Sequence, residues 1–170
     1  MDKNIRFLEE RDIPVIAAAF AAQGWHKPES QYRRYFEEQQ ADTRQVLILE
    51  SDGEFAGYLT LLPTPSGGPW MGEDLPEVSD FNVLMKFQGR GYGWALMDAV
   101  EELAAKRWKR ITLAVGLHSG YGTAQRMYVR RGYLPDGSGV WFGEGREPFT
   151  PYEPCVNDDS LVLYLSKELG

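Results

Sequence analysis

The sequence predicts an α/β fold in which a mixed, mostly antiparallel sheet is flanked by helices. Two apolar runs, Gln45–Glu50 and Phe55–Leu62, are separated by the turn sequence Ser-Asp-Gly-Glu, as in a β-hairpin. A third run, Val78–Leu84, leads through a glycine-rich segment into an amphipathic helix and then into another strand. Because hairpin and strand–helix–strand patterns occur in one chain, we expect antiparallel and parallel neighbours in the same sheet.

The N-terminal segment reads as a strand followed by a helix. Ile5–Leu8 is apolar enough for a short first strand. Asp12 is the expected N-cap of the helix, Pro14 lies in its first turn, Val15–Ala22 forms its apolar part, and Gly24 ends it.

A second helix is expected over Pro28–Gln40, with Tyr32, Tyr35 and Phe36 along one side. The hairpin follows this helix. After it, residues 63–69 are rich in proline and glycine and are expected to form a loop.

The C-terminal half alternates strands with one short helix. The expected elements are a strand at Ile111–Val115, a helix at Thr123–Arg131 ended by Gly132, a strand beginning at Tyr133 and Leu134, and strands near Val140–Gly143 and Leu161–Ser166. No internal repeat, low-complexity tract or linker is seen, so residues 1–170 are expected to form a single domain.

Composition argues against several classes of protein. The chain has 18 Lys and Arg against 25 Asp and Glu, a net charge of −7 that disfavours nucleic acid as the main partner and is compatible with a cationic substrate. No apolar run is long enough to cross a membrane, and the N-terminus is too charged for a signal peptide. One cysteine excludes an internal disulfide, and with two histidines no metal site is expected. We therefore expect a cytoplasmic protein.

Three glycines, Gly89, Gly91 and Gly93, stand where the amphipathic helix must begin. A helix start leaves backbone amides unpaired and carries roughly half a positive charge. Because glycine has no Cβ, phosphate oxygens can reach those amides, and Lys86 and Arg90 add positive charge nearby. The segment therefore predicts an anion-binding turn suited to a pyrophosphate.

Two familiar phosphate-binding motifs do not fit this turn. A dinucleotide-binding turn would need glycine where Trp94 stands, and the Gly-Lys-Ser/Thr of a P-loop does not occur. The segment instead resembles the Q-x-x-G-x-G turn of the GCN5-related N-acetyltransferase (GNAT) family, whose amides hold the pyrophosphate of coenzyme A. The resemblance implies an acyl-CoA N-acyltransferase (GNAT) fold and acetyl-CoA as the acetyl donor. The residues that it assigns to cofactor binding here are Phe81, Asn82, Val83, Gln88, Gly89, Arg90, Gly91, Tyr92, Gly93 and Trp94.

A second family motif lies downstream. Ala124, Tyr128, Gly132 and Tyr133 fit the pattern N-x-x-A-x-x-x-Y followed by Gly-Phe/Tyr, whereas Tyr121 stands where the family has asparagine. By resemblance, Tyr121 and Ala124 contact the pantetheine arm, and Tyr128 assists departure of the thiolate. A tyrosine with a pKa of about 10 is a weaker acid than a thiol of about 8.5, so a hydrogen bond to the sulfur is favoured over full proton transfer. From its spacing alone, Tyr128 would be interpreted as a core residue, and it is the presence of the first motif that favours the catalytic role.

The reaction also needs a proton acceptor, because removing a proton from an alkylamine at pH 7 costs about 4.6 kcal/mol. Glu77 lies at the start of the fourth strand and is similar in position to the glutamate base of the histone-acetylating branch of the family. Strand alternation places Asp80 and Asn82 on the opposite face, and Asp80 is the second candidate. A solvated Glu77, with ordered water taking the proton, is the alternative.

The tail segment Glu144–Ser160 is rich in proline and aromatic residues. Phe149, Tyr152, Glu147 and Glu153 either line an acceptor pocket for a cation or cover the edge of the sheet. The sequence leaves both interpretations open.

Together these features predict an enzyme that transfers acetyl from acetyl-CoA directly to a primary amine, without a covalent enzyme intermediate. The expected acceptor is a small molecule, with a protein N-terminus or lysine as the other acceptor, and a homodimer is common among relatives. Two other hypotheses stay open. One is a non-catalytic acyl-CoA-binding or sensing domain, and the other is a nucleotide-dependent enzyme that uses the same turn.

Overall fold

The computed structural model describes residues 1–142 and 147–170. Its strands are β1 (Lys3–Phe7), β2 (Gln45–Ser51), β3 (Glu54–Leu62), β4 (Glu77–Val83), β5 (Arg110–Gly116), β6 (Leu134–Phe142) and β7 (Leu161–Glu168). Its helices are α1 (Asp12–Ala22), α2 (Glu29–Gln40), α3 (Tyr92–Ala105) and α4 (Gly122–Arg130). The strands form a seven-stranded mixed sheet in the order β1-β2-β3-β4-β5-β7-β6. The predicted α/β fold class is confirmed, and so is the predicted order of elements up to α4.

Two compact units make up the chain. The first comprises residues 1–62 and 79–102, and the second comprises residues 63–78 and 103–170. Strand β4 contributes to both, because Glu77 and Val78 belong to the second unit and Ser79–Val83 to the first. That residues 1–170 act as a single domain stays a prediction.

In the first unit, strands β1, β2 and β3 pair antiparallel in sequence order. The β2–β3 turn places Asp52 at φ 51° and Gly53 at φ 82°. Positive φ at both central residues is the requirement of a type I′ turn, which matches the right-handed twist of the flanking strands. The hairpin predicted from the Asp-Gly pair is confirmed.

Both helices of the first unit bury one side. In α1, Ile13, Ile16 and Phe20 lie at helical spacing and are fully buried. In α2, Tyr32 and Tyr35 are buried, and the two helices pack on each other and on strands β2 and β3. These residues belong to the core of this unit, and Tyr32 and Tyr35 lie on one side of α2 as predicted.

The start of α1 differs from the prediction. Asp12 is the first helical residue rather than its N-cap. Its carboxylate accepts hydrogen bonds from Arg6 at 2.7 and 2.8 Å and from the backbone N–H of Glu9. Arg6 also pairs with Glu50 at 2.7 Å. The carboxylate thus links strands β1 and β2 to the helix, and this long-range pairing takes the place of a local cap.

In the second unit, β4 and β5 run parallel over a short ladder, in which Glu77 faces Thr112 and Val78 faces Leu113. Strand β7 pairs antiparallel with β5 and with β6. Strand β6 is interrupted between Pro135 and Val140, so the separate strand starts predicted at residues 133–134 and 140 belong to one irregular strand. The predicted strand end at Gly143 lies outside the described residues.

Candidate functional site

The glycine-rich turn has the backbone conformation that an anion-binding loop requires. Gly89 and Gly91 have φ of 76° and 78°, values that favour glycine, and a Cβ at either position would meet nothing within 4 Å. Helix α3 begins directly afterwards at Tyr92 and carries no acidic residue in its first turn. Within the described residues, the backbone amides of Gly89, Gly91 and Gly93 donate no hydrogen bond to the protein. The turn therefore presents free amides to solvent at the positive end of a helix.

The two predicted cations differ in their surroundings. Lys86 forms an ion pair with Glu54, so its charge is balanced within the protein. The Arg90 guanidinium lies 5.3 Å from the centre of the Phe87 ring and has no carboxylate partner among the described residues. Arg90 is thus the side chain whose positive charge remains available to an anion at the turn.

Side chains around the turn hold it in place. The amide group of Gln88 donates to the carbonyl oxygen of Val83 at 3.2 Å. Tyr92 is buried, and its hydroxyl shares a 2.7 Å hydrogen bond with the Ser51 hydroxyl. The turn and the end of β4, both predicted to bind cofactor, are therefore directly linked. Because the side chains of Gln88 and Tyr92 are engaged by the protein, these two residues are left to contact a ligand through their backbone groups.

Strand β4 is irregular at Asp80, which has φ 45°. Within a strand, such a value is costly for a residue other than glycine and marks a strained position. The Asp80 carboxylate accepts hydrogen bonds from the Tyr58 and Tyr35 hydroxyls at 2.6 and 2.8 Å, from Gln31 at 3.1 Å and from Asn82 at 2.8 Å. Burial and the nearby charge of Asp80 raise the pKa of Tyr35 to about 12. The sequence indicated Asp80 only as a second candidate base and gave no sign of this cluster, whose members come from α2, β3 and β4.

Glu77 is the other carboxylate that the sequence singled out. It is a buried charged residue of the second unit, 8% exposed, and it has an interaction partner within the protein. Burial, followed by the charge of Glu77, raises the pKa of Tyr164 to about 12. Glu77 is therefore not the freely solvated carboxylate of the alternative interpretation.

Tyr121 and Ala124 lie at the start of α4, where the family pattern has its asparagine and alanine. The Tyr121 hydroxyl donates to Asp159 at 3.1 Å, and its ring covers Gly116, where an added Cβ would lie 2.3 Å from ring atoms. Burial, followed by the hydrogen bond to Asp159, raises the pKa of Tyr121. The Tyr121 side chain is thus directed to a contact within the protein.

Gln125, which sequence reasoning missed, ties α4 to the end of β5. Its side-chain amide donates to the carbonyl oxygens of Gly116 at 2.8 Å and Leu117 at 3.4 Å. Nothing in the sequence distinguished this glutamine from a surface residue. Its partners could not be inferred from the sequence, because only the folded chain brings the end of β5 close to α4.

Tyr128 is buried on α4, with 6% of its surface exposed. Its ring packs at 5.7 Å against the ring of Tyr133, and its hydroxyl makes no hydrogen bond to any described residue. Within the described residues, the buried side-chain polar atom without a partner is Gln23 Nε2, so the Tyr128 hydroxyl still reaches solvent although its ring is buried. Burial raises the pKa of Tyr128 above its ordinary value. The hydroxyl therefore stays protonated, and able to donate, throughout the neutral range.

The described part of the tail lies along β6. The Phe149 N–H donates to the Val140 carbonyl at 2.8 Å, and the Phe149 ring packs against Phe142 at 5.4 Å. Tyr152, by contrast, is fully exposed. These contacts favour the sheet-edge interpretation for Phe149; residues 144–146 of the predicted loop lie outside the described residues.

Comparison with known proteins identifies the family. Residues 12–133 match the sequence model of the acetyltransferase (GNAT) family, which is more than half of the chain. The chain belongs to the GNAT family and is an acetyl-CoA-dependent acetyltransferase. No curated protein sequence gives a significant match.

Solved structures share the fold at low sequence identity. A GNAT-family acetyltransferase from Desulfovibrio desulfuricans superposes with a TM-score of 0.73 at 16% identity, over 99% of this chain and 100% of the other. The ribosomal-protein-S18-alanine N-acetyltransferase from Escherichia coli superposes with a TM-score of 0.68 at 15% sequence identity, over 99% of this chain and 94% of the other. An acetyltransferase from Salmonella typhimurium, crystallised with acetyl-CoA, superposes with a TM-score of 0.69 at 17% sequence identity, over 100% of this chain and 95% of the other. At these identities the likeness confirms the predicted GNAT fold.

No helix in residues 1–142 and 147–170 is both long and apolar enough to span a membrane. The same part of the chain contains no group of three or more His, Cys, Asp and Glu placed to hold a metal ion.

Proposed function

We propose that the chain transfers acetyl from acetyl-CoA to a primary amine, with the turn at residues 88–93 as the pyrophosphate site. The unpaired amides of Gly89, Gly91 and Gly93, together with the Arg90 guanidinium, support this role because all of them attract phosphate oxygens. Backbone groups of Phe81, Asn82 and Val83 hold the pantetheine and acetyl carbonyl in this proposal. The Val83 carbonyl already accepts from Gln88, so at Val83 the amide is the group left for the cofactor.

In the proposed reaction the amine nitrogen attacks the thioester carbon, the carbon–sulfur bond breaks, and the thiolate leaves. Tyr128 donates a hydrogen bond to the sulfur as negative charge develops there. Its hydroxyl is the observation that carries the proposal, because it has no partner among the described residues and is not enclosed by the protein, so that a ligand can reach it. Tyr121 and Ala124 are proposed to contact the pantetheine arm, Tyr121 through its ring because its hydroxyl is bound to Asp159.

The proton released by the amine needs an acceptor. Glu77, directly or through an ordered water, is the proposed base, because it is a carboxylate of strand β4, whose other end is proposed to hold the acetyl group. Asp80 is less suited, since four neutral donors already occupy its oxygens.

The expected acceptor is a small-molecule amine. A protein N-terminus is the alternative, since the Escherichia coli protein of the same fold is named for acetylation of a ribosomal protein alanine. The test is to incubate the protein with acetyl-CoA and a panel of alkylamines, diamines, amino acid amides and alanine-initiated peptides, and to follow release of free thiol. Turnover of any member supports the proposal. Binding of acetyl-CoA without thiol release across the panel would instead favour the sensing domain, and stabilisation by ATP or NAD but not by coenzyme A would favour a nucleotide-dependent enzyme.

A further inference from the structure

Lys27 of the first unit occupies a site that has the features of an ammonium receptor. It lies in the short connection between α1 and α2, and its Nζ is 3.6 Å from the Asp80 carboxylate and 3.4 Å from the Tyr58 hydroxyl. The same nitrogen lies 5.2 Å from the centre of the Phe20 ring and 6.0 Å from that of Tyr58. A carboxylate, a hydroxyl and ring faces around one nitrogen are the groups that recognise alkylammonium ligands.

The carboxylate of this site is held in position without help from Lys27. Tyr35, Tyr58, Gln31 and Asn82 donate to it at 2.6–3.1 Å, and all four are neutral donors. Lys27 makes the longest contact and supplies the positive charge opposite the carboxylate. If Lys27 moved away, the carboxylate would stay fixed and its charge would be unbalanced. A cation from outside would then be attracted to the same position.

Both partners of the ion pair also reach solvent. The side chains of Lys27 and Asp80 are 20% and 19% exposed, whereas the Tyr58 and Phe20 rings behind them are fully buried. A ligand can therefore approach the carboxylate from the side that Lys27 now covers, and the Tyr58 and Phe20 rings are already in position to contact it.

We propose that the site formed by Asp80, Tyr58 and Phe20 binds an alkylammonium group, that Lys27 fills it in the free protein, and that an acceptor with a second positive charge displaces Lys27. The second part rests on the proposed acetyl transfer. The attacking amine must be neutral, so an ammonium held at Asp80 is a different group of the same molecule. Asp80 directly precedes Phe81–Val83, and two strand residues span roughly 7 Å. A diamine of four or five carbons can therefore place its ammonium at Asp80 and its neutral amine beside the acetyl group that Phe81–Val83 are proposed to hold.

The first experiment measures the cation site alone, without cofactor or turnover. Lys27→Ala removes the atoms equivalent to propylamine, so NMR titration compares n-propylammonium with the neutral 1-propanol. We expect the variant to bind the ammonium at least about fivefold more tightly than the alcohol, and at least about fivefold more tightly than the wild type does. Adding Asp80→Asn should remove the preference. Because that change disturbs a buried cluster, Lys27→Ala with Phe20→Leu serves as a second test that removes the ring face but leaves the carboxylate. Equal binding of ammonium and alcohol by the Lys27→Ala variant would overturn the site.

The second experiment tests the class of acceptor. The ratio of kcat/KM for 1,5-diaminopentane over n-pentylamine should be at least about fivefold in the wild type, higher in Lys27→Ala and near one in Asp80→Asn. The exposed Lys106→Met is the matched control and should keep the wild-type ratio. A ratio near one in both wild type and Lys27→Ala would overturn the diamine assignment. If no amine is turned over, the proposed function fails, and the titration still decides whether the cation site exists.

Discussion

Replacing Tyr128 with phenylalanine separates a catalytic role from a packing role. The ring is buried against Tyr133, and phenylalanine keeps that contact while removing a hydroxyl that has no partner in the described protein. A packing tyrosine and a donor to the leaving sulfur therefore predict different outcomes for the same change.

The expected size follows from one hydrogen bond to a developing charge, worth about 1.5–3 kcal/mol. The kcat should fall by about 10- to 100-fold, whereas the KM for acetyl-CoA should change little. Stability should change little. Because the hydroxyl makes no hydrogen bond to the described protein, removing it should leave the free energy of unfolding within about 0.5 kcal/mol of the wild-type value.

Thiol release, calorimetric binding of acetyl-CoA and thermal unfolding measure these three quantities. Tyr133→Phe is the matched control, since it removes a hydroxyl from the same pair of rings and should retain activity. Since burial raises the pKa of Tyr128, the ratio of wild-type to variant rate should be constant between about pH 6 and 9. A variant that turns over at the wild-type rate would show that Tyr128 serves only packing.

Three other changes test the turn, the base and the fold. Gly91→Glu should abolish acetyl-CoA binding, because it places a carboxylate at the anion site, whereas Gly91→Ala, which adds only backbone strain at φ 78°, should weaken binding far less; equal affinities by calorimetry would count against the turn. Glu77→Gln should lower kcat/KM most at low pH, where the amine most needs a base, and an unaltered pH profile would remove Glu77 from the mechanism. Arg6→Met should lower the free energy of unfolding by about 2–4 kcal/mol in urea, because the Asp12 carboxylate is left buried without its cation; a loss below about 0.5 kcal/mol would contradict this. Burial raises the pKa of Asp12, but hydrogen bonds from Arg6 and Glu9 lower it more, so that it lies below its ordinary 3.8. The wild type should therefore keep the stability contributed by the Arg6–Asp12 pair above pH 3.8 and lose it as the pH falls further.

Much of the fold was predictable because local chemistry decides it. The Asp52-Gly53 pair predicted the hairpin, since few other residue pairs adopt two positive φ values, and the apolar segment Val15–Ala22 predicted a helix where α1 is found. Errors arose where a distant residue competed with a local rule. The expected N-cap at Asp12 is one example, because Arg6 engages that carboxylate instead.

The candidate site divides in the same way. The Gln88–Gly93 segment could be recognised from sequence, because unpaired amides and missing Cβ atoms are properties of a few consecutive residues. The cluster at Asp80 could not, because its donors lie on three elements that are brought together by folding. Glu77, Tyr121, Ala124 and the contacts proposed for the cofactor stay predictions of role, while their positions are now defined within their units.

The sequence by itself determined the order of strands and helices, the glycine turn and the family motif around Tyr128, because each depends on residues close together in the chain. Only the tertiary structure decided that Tyr128 has a free hydroxyl, that Tyr121 turns to Asp159, and that Lys27 lies over Asp80. The physical reason is that hydrogen-bond partners and ring contacts are settled by which side chains the sheet and helices bring within a few ångströms. The spacing of residues along the chain does not give the distances between their side chains in the folded protein.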